Sequence, residues 1–382
     1  MRVGFFTEVY HPVVNGVVSS LDALARGLRA LGHEVYCFAP SAPGYDEGEG
    51  AVYRMPSLPL PINSPYRLTL PMVSRRKRHT ILNRLDILHA HSPFVTGWMS
   101  VRYARRLRIP LVYTYHTRLE EYAHYVPFDE TATRRAATTL TRSFANLADA
   151  VIVPTPAMRT RLLELGVTAR VEVIPSGIDL THFGSGRRSP SVRRRFGIGD
   201  DEIFLLCVSR LAREKNIDVL IDALASCARR AVLVIGGDGP ERTALEERAR
   251  FRGVEDRVRF AGQISRDELP DLYAGSDAFL FPSVTETQGL VLAEALAAGA
   301  LVIAADAAQI REVLGPCGRI VEPSPRGFAE AIAALNRSQN SADAAAGRAW
   351  AAHFSIDAQA ASVAGLYEDL LTRTYVRSMI ET

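Results

Sequence analysis

FPSVTETQGLVLAEALAAG, residues 281–299, is the stretch around which the rest of the chain is arranged. Its first residues complete an apolar run, SDAFLFPS (276–283), that reads as a buried strand. The segment from Gly289 to Gly299 is rich in Leu, Val and Ala and predicts a short helix, stopped by a glycine suited to a left-handed C-terminal cap. A polar turn carrying Glu286 lies between them, and Glu294 sits inside the helix. The turn into Gly289 and Leu290 leaves backbone N–H groups unpaired at the positive end of the helix dipole, which is an anion site. Glu294, about one turn into an otherwise apolar helix, needs a partner to be tolerated there. An anion socket flanked by two carboxylates suits a ligand with both phosphates and hydroxyls, such as a nucleotide-sugar. An ordinary strand–loop–helix with two solvated glutamates would read the same way, so the rest of the chain decides.

The alternation of strand and helix extends outward from this stretch. Back to about residue 184 and on to the C-terminal region, FLLCVSR (204–210), AVLVIGGDG (231–239), VRFAGQ (258–263), DAFLFPS (277–283), ALVIAAD (300–306) and RIVEP (319–323) predict strands. The first half repeats the pattern in VGFFTE (3–8), HEVYCFAP (33–40), AVYRMPS (51–57), DILHAHS (86–92), PLVYTYH (110–116), AVIVPT (150–155) and VEVIPSG (171–177). Helical stretches such as VVSSLDALARGLRALG (17–32), ended by Gly32, fall between most of them. Continuous apolar strands alternating with amphipathic helices predict an α/β fold of two doubly wound, Rossmann-like domains, each a parallel sheet covered on both faces. The polar run GSGRRSPSVRRR (184–195) marks the passage between the halves. The expected organisation is a first domain over 1–180, a second over 181–355, and a C-terminal helix within 356–382 that crosses back to the first domain. Two such domains imply a cleft, with ligands beyond the carboxyl ends of the strands.

Composition narrows the class. At 382 residues the chain has room for two or three domains with their own cores, and 47% hydrophobic with 23% charged residues is a globular balance. Cys37, Cys207, Cys227 and Cys317 are scattered without C-x-x-C spacing. Cys37 and Cys207 lie in apolar runs and are expected buried and reduced, which argues against structural zinc or a disulfide framework. MRVGFF leads straight into a strand pattern and no run of eighteen apolar residues occurs, so neither a secretory leader nor a membrane span is expected, and the expected location is cytoplasmic or peripheral. The net charge of +3 hides an asymmetry: residues 1–180 hold 21 Lys/Arg against 15 Asp/Glu, whereas residues 181–382 hold 24 against 27. The basic half is the one suited to an anionic partner.

Candidate functional residues fall at predicted strand ends. After the first strand, Asn15-Gly16 lets the backbone come close to a ligand at a helix start, although a plain strand-to-helix turn would look alike. The dinucleotide fingerprint G-x-G-x-x-G is absent there, which disfavours dehydrogenase chemistry. His116 ends PLVYTYH, where an imidazole can hydrogen-bond a sugar hydroxyl or serve a structural role. In SRLAREKNID (209–218), Arg210 and Lys215 project from the first strand end of the second half. Two fixed cations facing a diphosphate can stand in for Mg²⁺, each contact near 4 Å being worth about 4 kcal/mol before desolvation at an effective dielectric near 20. Arginine supplies bidentate phosphate contacts and lysine a point charge; a solvated basic loop is the plainer reading. Gly236-Gly237-Asp238-Gly239-Pro240 either closes the backbone on a flat or anionic group or makes a tight turn.

Together, Asn15-Gly16, His116, SRLAREKN (209–216), GGDGPE (236–241), FAGQI (260–264) and Glu286 with Glu294 in E-x7-E spacing resemble the retaining glycosyltransferases of family 4, in that family's order and over nearly the whole chain. The resemblance implies the GT-B fold and an activated sugar donor bound mainly by the second domain, with no catalytic metal or other cofactor. The absence of a D-x-D pair at a strand end agrees. Carried over by motif, Arg210 and Lys215 hold the diphosphate with help from the Gly289 and Leu290 amides. Glu294 binds the ribose hydroxyls and Glu286 those of the transferred sugar. His116 contacts the same sugar from the first domain, Gly16 lies against the phosphates, and Gly237 and Ile264 belong to matched donor-binding motifs. No side chain is an obvious nucleophile, so catalysis would rest on positioning and on stabilising leaving-group charge.

Within the family, TEVYHPVVNGVVSS (7–20), YHTRLEEYAHYVP (115–127) and TETQGL (285–290) look like the branch that glycosylates diacylglycerol. The apolar, proline-rich SLPLPINSPYRLTLP (57–71), then Arg75, Arg76, Lys77 and Arg78, then Ile81, Leu82 and Leu85, would suit an anionic bilayer at about 1 kcal/mol per cation; a solvated charge run fits as well. The expected activity is therefore transfer of glucose or galactose from a UDP-sugar to a diacylglycerol-type lipid on the inner face of the cell membrane. The alternative is a GDP-mannose-dependent mannosyltransferase acting on an inositol or glycolipid acceptor. A nucleotide-sugar-binding protein without transfer activity is a third class. Nucleic-acid binding is disfavoured, because no aromatic set interleaves the basic run to stack bases.

Overall fold

The computed structural model describes residues 1–45, 51–59, 66–74, 80–125, 127–228, 230–336 and 340–380, with 340–342 and 377–380 described by their backbone alone. The chain divides into two units, Met1–Gly177 together with Ile356–Thr382, and Ile178–Ser355.

In the first unit, β1 (Arg2–Phe6), β2 (Glu34–Pro40) and β3 (Val52–Met55) are followed by two short strands, β4 (Ser57–Pro59) and β5 (Arg67–Thr69). Then come β6 (Ile87–Ala90), β7 (Leu111–Thr114), β8 (Ala150–Val153) and β9 (Arg170–Val173). Seven strands form one parallel sheet in the order β3-β2-β1-β6-β7-β8-β9, while β4 and β5 make a separate antiparallel ribbon that places Leu58 opposite Leu68. Successive side chains of a strand face opposite ways, so one sheet feeds two cores. Phe6 joins Phe38, Leu88 and Tyr113 on one face, and Val3 and Phe5 join Leu21, Leu24 and Val112 on the other.

Helix Gly16–Ala30 starts because Asn15, in extended conformation, accepts the Val18 amide at 3.0 Å. It buries Leu21, Leu24 and Leu28 against the sheet, and Gly32 at φ +82 follows its end. The long helix Ile356–Ile380 packs on the same face through Val363, Leu366, Tyr367 and Leu370. The two helices approach closely at Gly27, where a Cβ would meet that of Ala360 at 2.6 Å.

In the second unit, β10 (Ile203–Val208), β11 (Ala231–Gly236), β12 (Val258–Gly262), β13 (Ala278–Phe281), β14 (Val302–Ala305) and β15 (Arg319–Val321) form a parallel sheet in the order β12-β11-β10-β13-β14-β15. Alternation again splits the core, Phe204 and Leu206 facing Phe279 and Phe281, and Leu205 and Cys207 facing Leu233 and Leu280. The run 184–195 belongs to this unit: Ser189 caps the helix Pro190–Arg195, and the buried Asp277 carboxylate accepts from Arg188 and, at 3.1 Å, from Arg193. All four cysteines are buried and free. Each unit is thus a doubly wound Rossmann-like α/β domain.

The stretch read as lying on a bilayer is only partly described. Arg75, Arg76, Lys77 and Arg78 lie outside the described residues, as does part of the proline-rich segment. Leu82 and Leu85, expected behind the basic run at a membrane, are instead core residues under the first sheet, because the short turn Leu82–Arg84 leads directly into β6. The β4–β5 ribbon does expose Leu58 and Leu68, and Met72, three residues beyond β5, is exposed as well.

Candidate active site

In an open doubly wound sheet the crevice lies where strand order reverses, at the carboxyl ends of the two central strands. In the second unit these are β10 and β13. Arg210 follows β10, and the turn Arg213–Lys215 ends at Asn216, which is left-handed at φ +51. Glu286 and Gly289 follow β13. The topology therefore brings together two loops that are 71 residues apart, and the Lys215 ammonium makes an ion pair with the Glu286 carboxylate. The hydroxyl of the buried Ser283 donates to the same Glu286 oxygen at 3.0 Å. Ser283 and Thr285 hydroxyls also reach the Glu214 carbonyl at 3.3 Å each, tying the loops together. Arg210 is held by the buried Glu214 carboxylate at 2.5 Å.

Each of the two cations has a carboxylate partner, Glu214 for Arg210 and Glu286 for Lys215. The pairing also orients them, since a lysine or arginine on a flexible stem otherwise loses side-chain entropy when it is fixed.

Gly289 adopts φ +80, in the left-handed region that glycine tolerates, and starts the helix Leu290–Ala297 without a side-chain cap. The Leu292 amide donates to the Gly289 carbonyl at 2.9 Å, and the amides of Gly289 and Leu290 come before the helical bonding pattern begins. At the other end, Gly299 at φ +79 donates to the Leu296 carbonyl at 2.9 Å and Ala300 to that of Ala295 at 2.9 Å, the paired bonds that close a helix through a left-handed residue. Glu294 is buried in this helix and accepts the Tyr273 hydroxyl at 3.2 Å. Burial lifts its carboxyl to about 7, against the opposing pull of the Arg266 charge and the Tyr273 hydrogen bond. A carboxyl held near neutrality at a strand-end crevice is a candidate functional group.

The glycines after β11 answer to the protein itself. Gly237 has φ +126, and a Cβ there would lie 1.9 Å from the Ser209 carbonyl oxygen; one at Gly239 would lie 2.3 Å from that of Leu211. They make room for the loop that carries Arg210. Ile264 packs against Gly236, where a Cβ would meet its Cδ1 at 2.2 Å. Gly237 and Ile264 thus shape the loop beside the crevice.

In the first unit strand order reverses between β1 and β6. Gly16, the first helical residue after β1, has open space where a Cβ would point. His116 lies two residues past β7 and its Nε2 is 3.0 Å from Nδ1 of His91, which directly follows β6. Burial lowers His116 to about 4, so its imidazole is neutral at pH 7. His91, and Glu8, whose carboxylate accepts the Thr96 amide at 3.0 Å at the start of helix Val95–Leu107, were missed in the sequence reading. The signal for His91 was present: HAHS places a histidine at a strand end, as YTYH does for His116.

Comparison with known proteins now bears on both crevices. Residues 14–182 match the model of Glycosyltransferase Family 4 and residues 189–349 that of Glycosyl transferases group 1, so every residue just described from Gly16 to Glu294 lies inside a matched segment. An alpha-monoglucosyldiacylglycerol synthase of Streptococcus pneumoniae is 34% identical over 312 residues, covering 80% of this chain and 71% of that protein. The chain is a family 4 glycosyltransferase. Another relative of this glycosyltransferase is a GDP-mannose-dependent alpha-mannosyltransferase of Mycobacterium tuberculosis, 34% identical over 322 residues and covering 83% of this chain and 82% of that one. Among solved structures, a sucrose-phosphate synthase from Thermosynechococcus elongatus is similar with TM-score 0.79 at 23% identity, covering 97% of this chain and 99% of that one. Anabaena HepE in complex with UDP and glucose is similar with TM-score 0.75 at 22% identity, covering 97% and 100%. The likeness establishes the GT-B fold of this glycosyltransferase. Among its described residues, no helix is long and apolar enough to cross a membrane, and no cluster of three or more His, Cys, Asp or Glu could hold a metal ion.

Proposed function

We propose that this glycosyltransferase moves a hexose, glucose or galactose, from a UDP-sugar to a diacylglycerol-type lipid with retention of the α configuration. The observation that carries the donor part is the joining of Arg210, Lys215, Glu286 and the Gly289 helix start at the carboxyl ends of β10 and β13. Arg210, Lys215 and the Gly289 and Leu290 amides take the diphosphate, Glu294 the ribose hydroxyls, and Glu286 the hydroxyls of the transferred sugar. Gly237 and Ile264 border the nucleotide. From the first unit, His116 contributes to recognition of the sugar and Gly16 to that of the phosphates. The acceptor hydroxyl oxygen bonds to the anomeric carbon on the face from which the phosphate oxygen departs, and its proton passes to that departing phosphate oxygen. Because cations and amides absorb the leaving-group charge, transfer proceeds without a metal.

The acceptor part is supported by the 34% identity to the diacylglycerol-named relatives from Streptococcus pneumoniae and Acholeplasma laidlawii and by the exposed Leu58, Leu68 and Met72. It includes a peripheral position on an anionic, cytoplasm-facing membrane surface through Arg75, Arg76, Lys77 and Arg78. The equal identity to the mannosyltransferase from Mycobacterium tuberculosis favours a second reading, mannose transfer from GDP-mannose to an inositol or glycolipid acceptor. Purified protein offered UDP-glucose, UDP-galactose or GDP-mannose, with and without diacylglycerol in anionic vesicles, separates the two. Release of UDP that requires diacylglycerol and survives a chelator is expected. Release of GDP alone would establish the mannose reading, and no turnover with any pair would favour a binding protein.

A further inference from the structure

The strand-end histidine that the proposed chemistry does not use is one of three stacked rings. His89 lies in β6 with Nδ1 2.6 Å from the Tyr367 hydroxyl, on the C-terminal helix, and Nε2 2.6 Å from the Thr114 hydroxyl. Its ring centroid is 4.2 Å from that of His91, and His91 is 5.3 Å from His116. Phe5 sets its edge against both His89 and His91, at 5.4 and 4.7 Å. His91 is 4% exposed, with the rings of Phe5, His89 and His116 against it.

We propose that His91 is a positioning residue that donates from Nδ1 to Nε2 of His116 and so fixes His116 as the tautomer with its proton on Nδ1. Across the 3.0 Å contact one nitrogen gives a proton and the other a lone pair. Burial holds both rings neutral, which excludes a charged pair. Two arrangements remain. If His116 donated, His91 would carry its proton on Nε2, which is buried and has no hydrogen-bond partner among the described residues. An orphaned buried N–H is the rarer and costlier defect. If His91 donates, Nε2 is only a bare lone pair, and His116 holds its proton on Nδ1. Tyr367 and Thr114 fix His89, and His89 with Phe5 fixes the His91 ring, so the C-terminal helix supports the orientation of a strand-end histidine on the far side of the row. The functional consequence rests on the reading of His116 as a contact to the transferred sugar: it would meet a sugar hydroxyl as an N–H donor, never as an acceptor.

Two measurements test this. Long-range proton–nitrogen spectra of the full chain labelled with ¹⁵N-histidine, assigned with His116→Gln and His91→Phe, report each tautomer directly. The expected result is Nδ1–H for both His91 and His116 in the native protein; an Nε2–H signature at His116 would overturn the proposal. In turnover, His91→Phe keeps the stacked ring but removes the donor and is expected to lower kcat by about tenfold or more, with thermal unfolding little changed, whereas His91→Asn restores an N–H near the Nδ1 position and recovers most of the rate. His91→Phe at full kcat would end the positioning role. His116→Gln at full kcat would instead end the reading of His116 as a sugar contact, leaving the tautomer result standing.

Discussion

Glu294 sits with its carboxyl inside a helix of Leu, Val and Ala, held by one tyrosine hydroxyl, and the cost of burying its charge shows as a carboxyl near 7 where 4.5 is usual. The folded chain therefore holds a proton that the unfolded chain releases. This contribution to stability is complete below about pH 4.5 and is lost as the pH rises through 7, a change of roughly 3 kcal/mol at full titration. Glu294→Gln should flatten that slope in urea unfolding of the second unit between pH 5 and 8. If Glu294 receives two ribose hydroxyls, it binds best ionised. UDP-glucose, whose phosphates do not titrate there, should then bind more tightly as pH rises from 6 to 8, and titration calorimetry on Glu294→Gln should show the dependence gone. A native affinity that is flat with pH would remove Glu294 from the donor site. The carboxylate was legible in the sequence because it interrupts an apolar helix; its partner was not, since Tyr273 is 21 residues away on another helix.

At the scale of elements, two glycines read alike in sequence behave differently in the fold. Gly16 starts a helix with open space beyond it, whereas Gly237 is left with no room by the Ser209 carbonyl and has φ +126. Gly237→Ala should cost the second unit about 2 kcal/mol or more through strain and clash, seen as a lowered unfolding midpoint. Gly16→Ala should leave stability within about 0.5 kcal/mol, and weaken donor binding if the backbone there approaches the phosphates. Equal stability loss in both would mean that the space at Gly16 is already filled by the protein. The strands were read correctly because the central ones, such as Ile203–Val208 and Ala231–Gly236, are continuous apolar runs, and caps such as Asn15 and Gly299 mark helix ends within a few residues. The β4–β5 ribbon was missed: three-residue strands carry no period, and Pro59 argues against a strand.

At the scale of the whole molecule, the C-terminal helix belongs with the first unit although 178 residues of the second intervene. Its Val363, Leu366, Tyr367 and Leu370 share a core with Leu21 and Leu24. Burying four such side chains contributes about 6 kcal/mol or more. Removing residues 356–382 should therefore unfold or severely destabilise the first unit while the second unit's calorimetric transition stays in place. An unchanged first-unit transition would show the helix to be dispensable there.

Sequence by itself determined the architecture and the neighbourhood of the site. Apolar runs, their spacing and the turn residues between them are local signals, and in a doubly wound sheet they place functional residues at strand ends before any contact is known. Tertiary structure alone decided the partners. Lys215 meets Glu286 across 71 residues, and His91 meets His116 across a strand order in which β6 and β7 are neighbours. A charge or an imidazole has no period and no propensity that names its partner; it is paired only when the sheet order brings two strand ends side by side and burial makes an unpaired group too costly to keep.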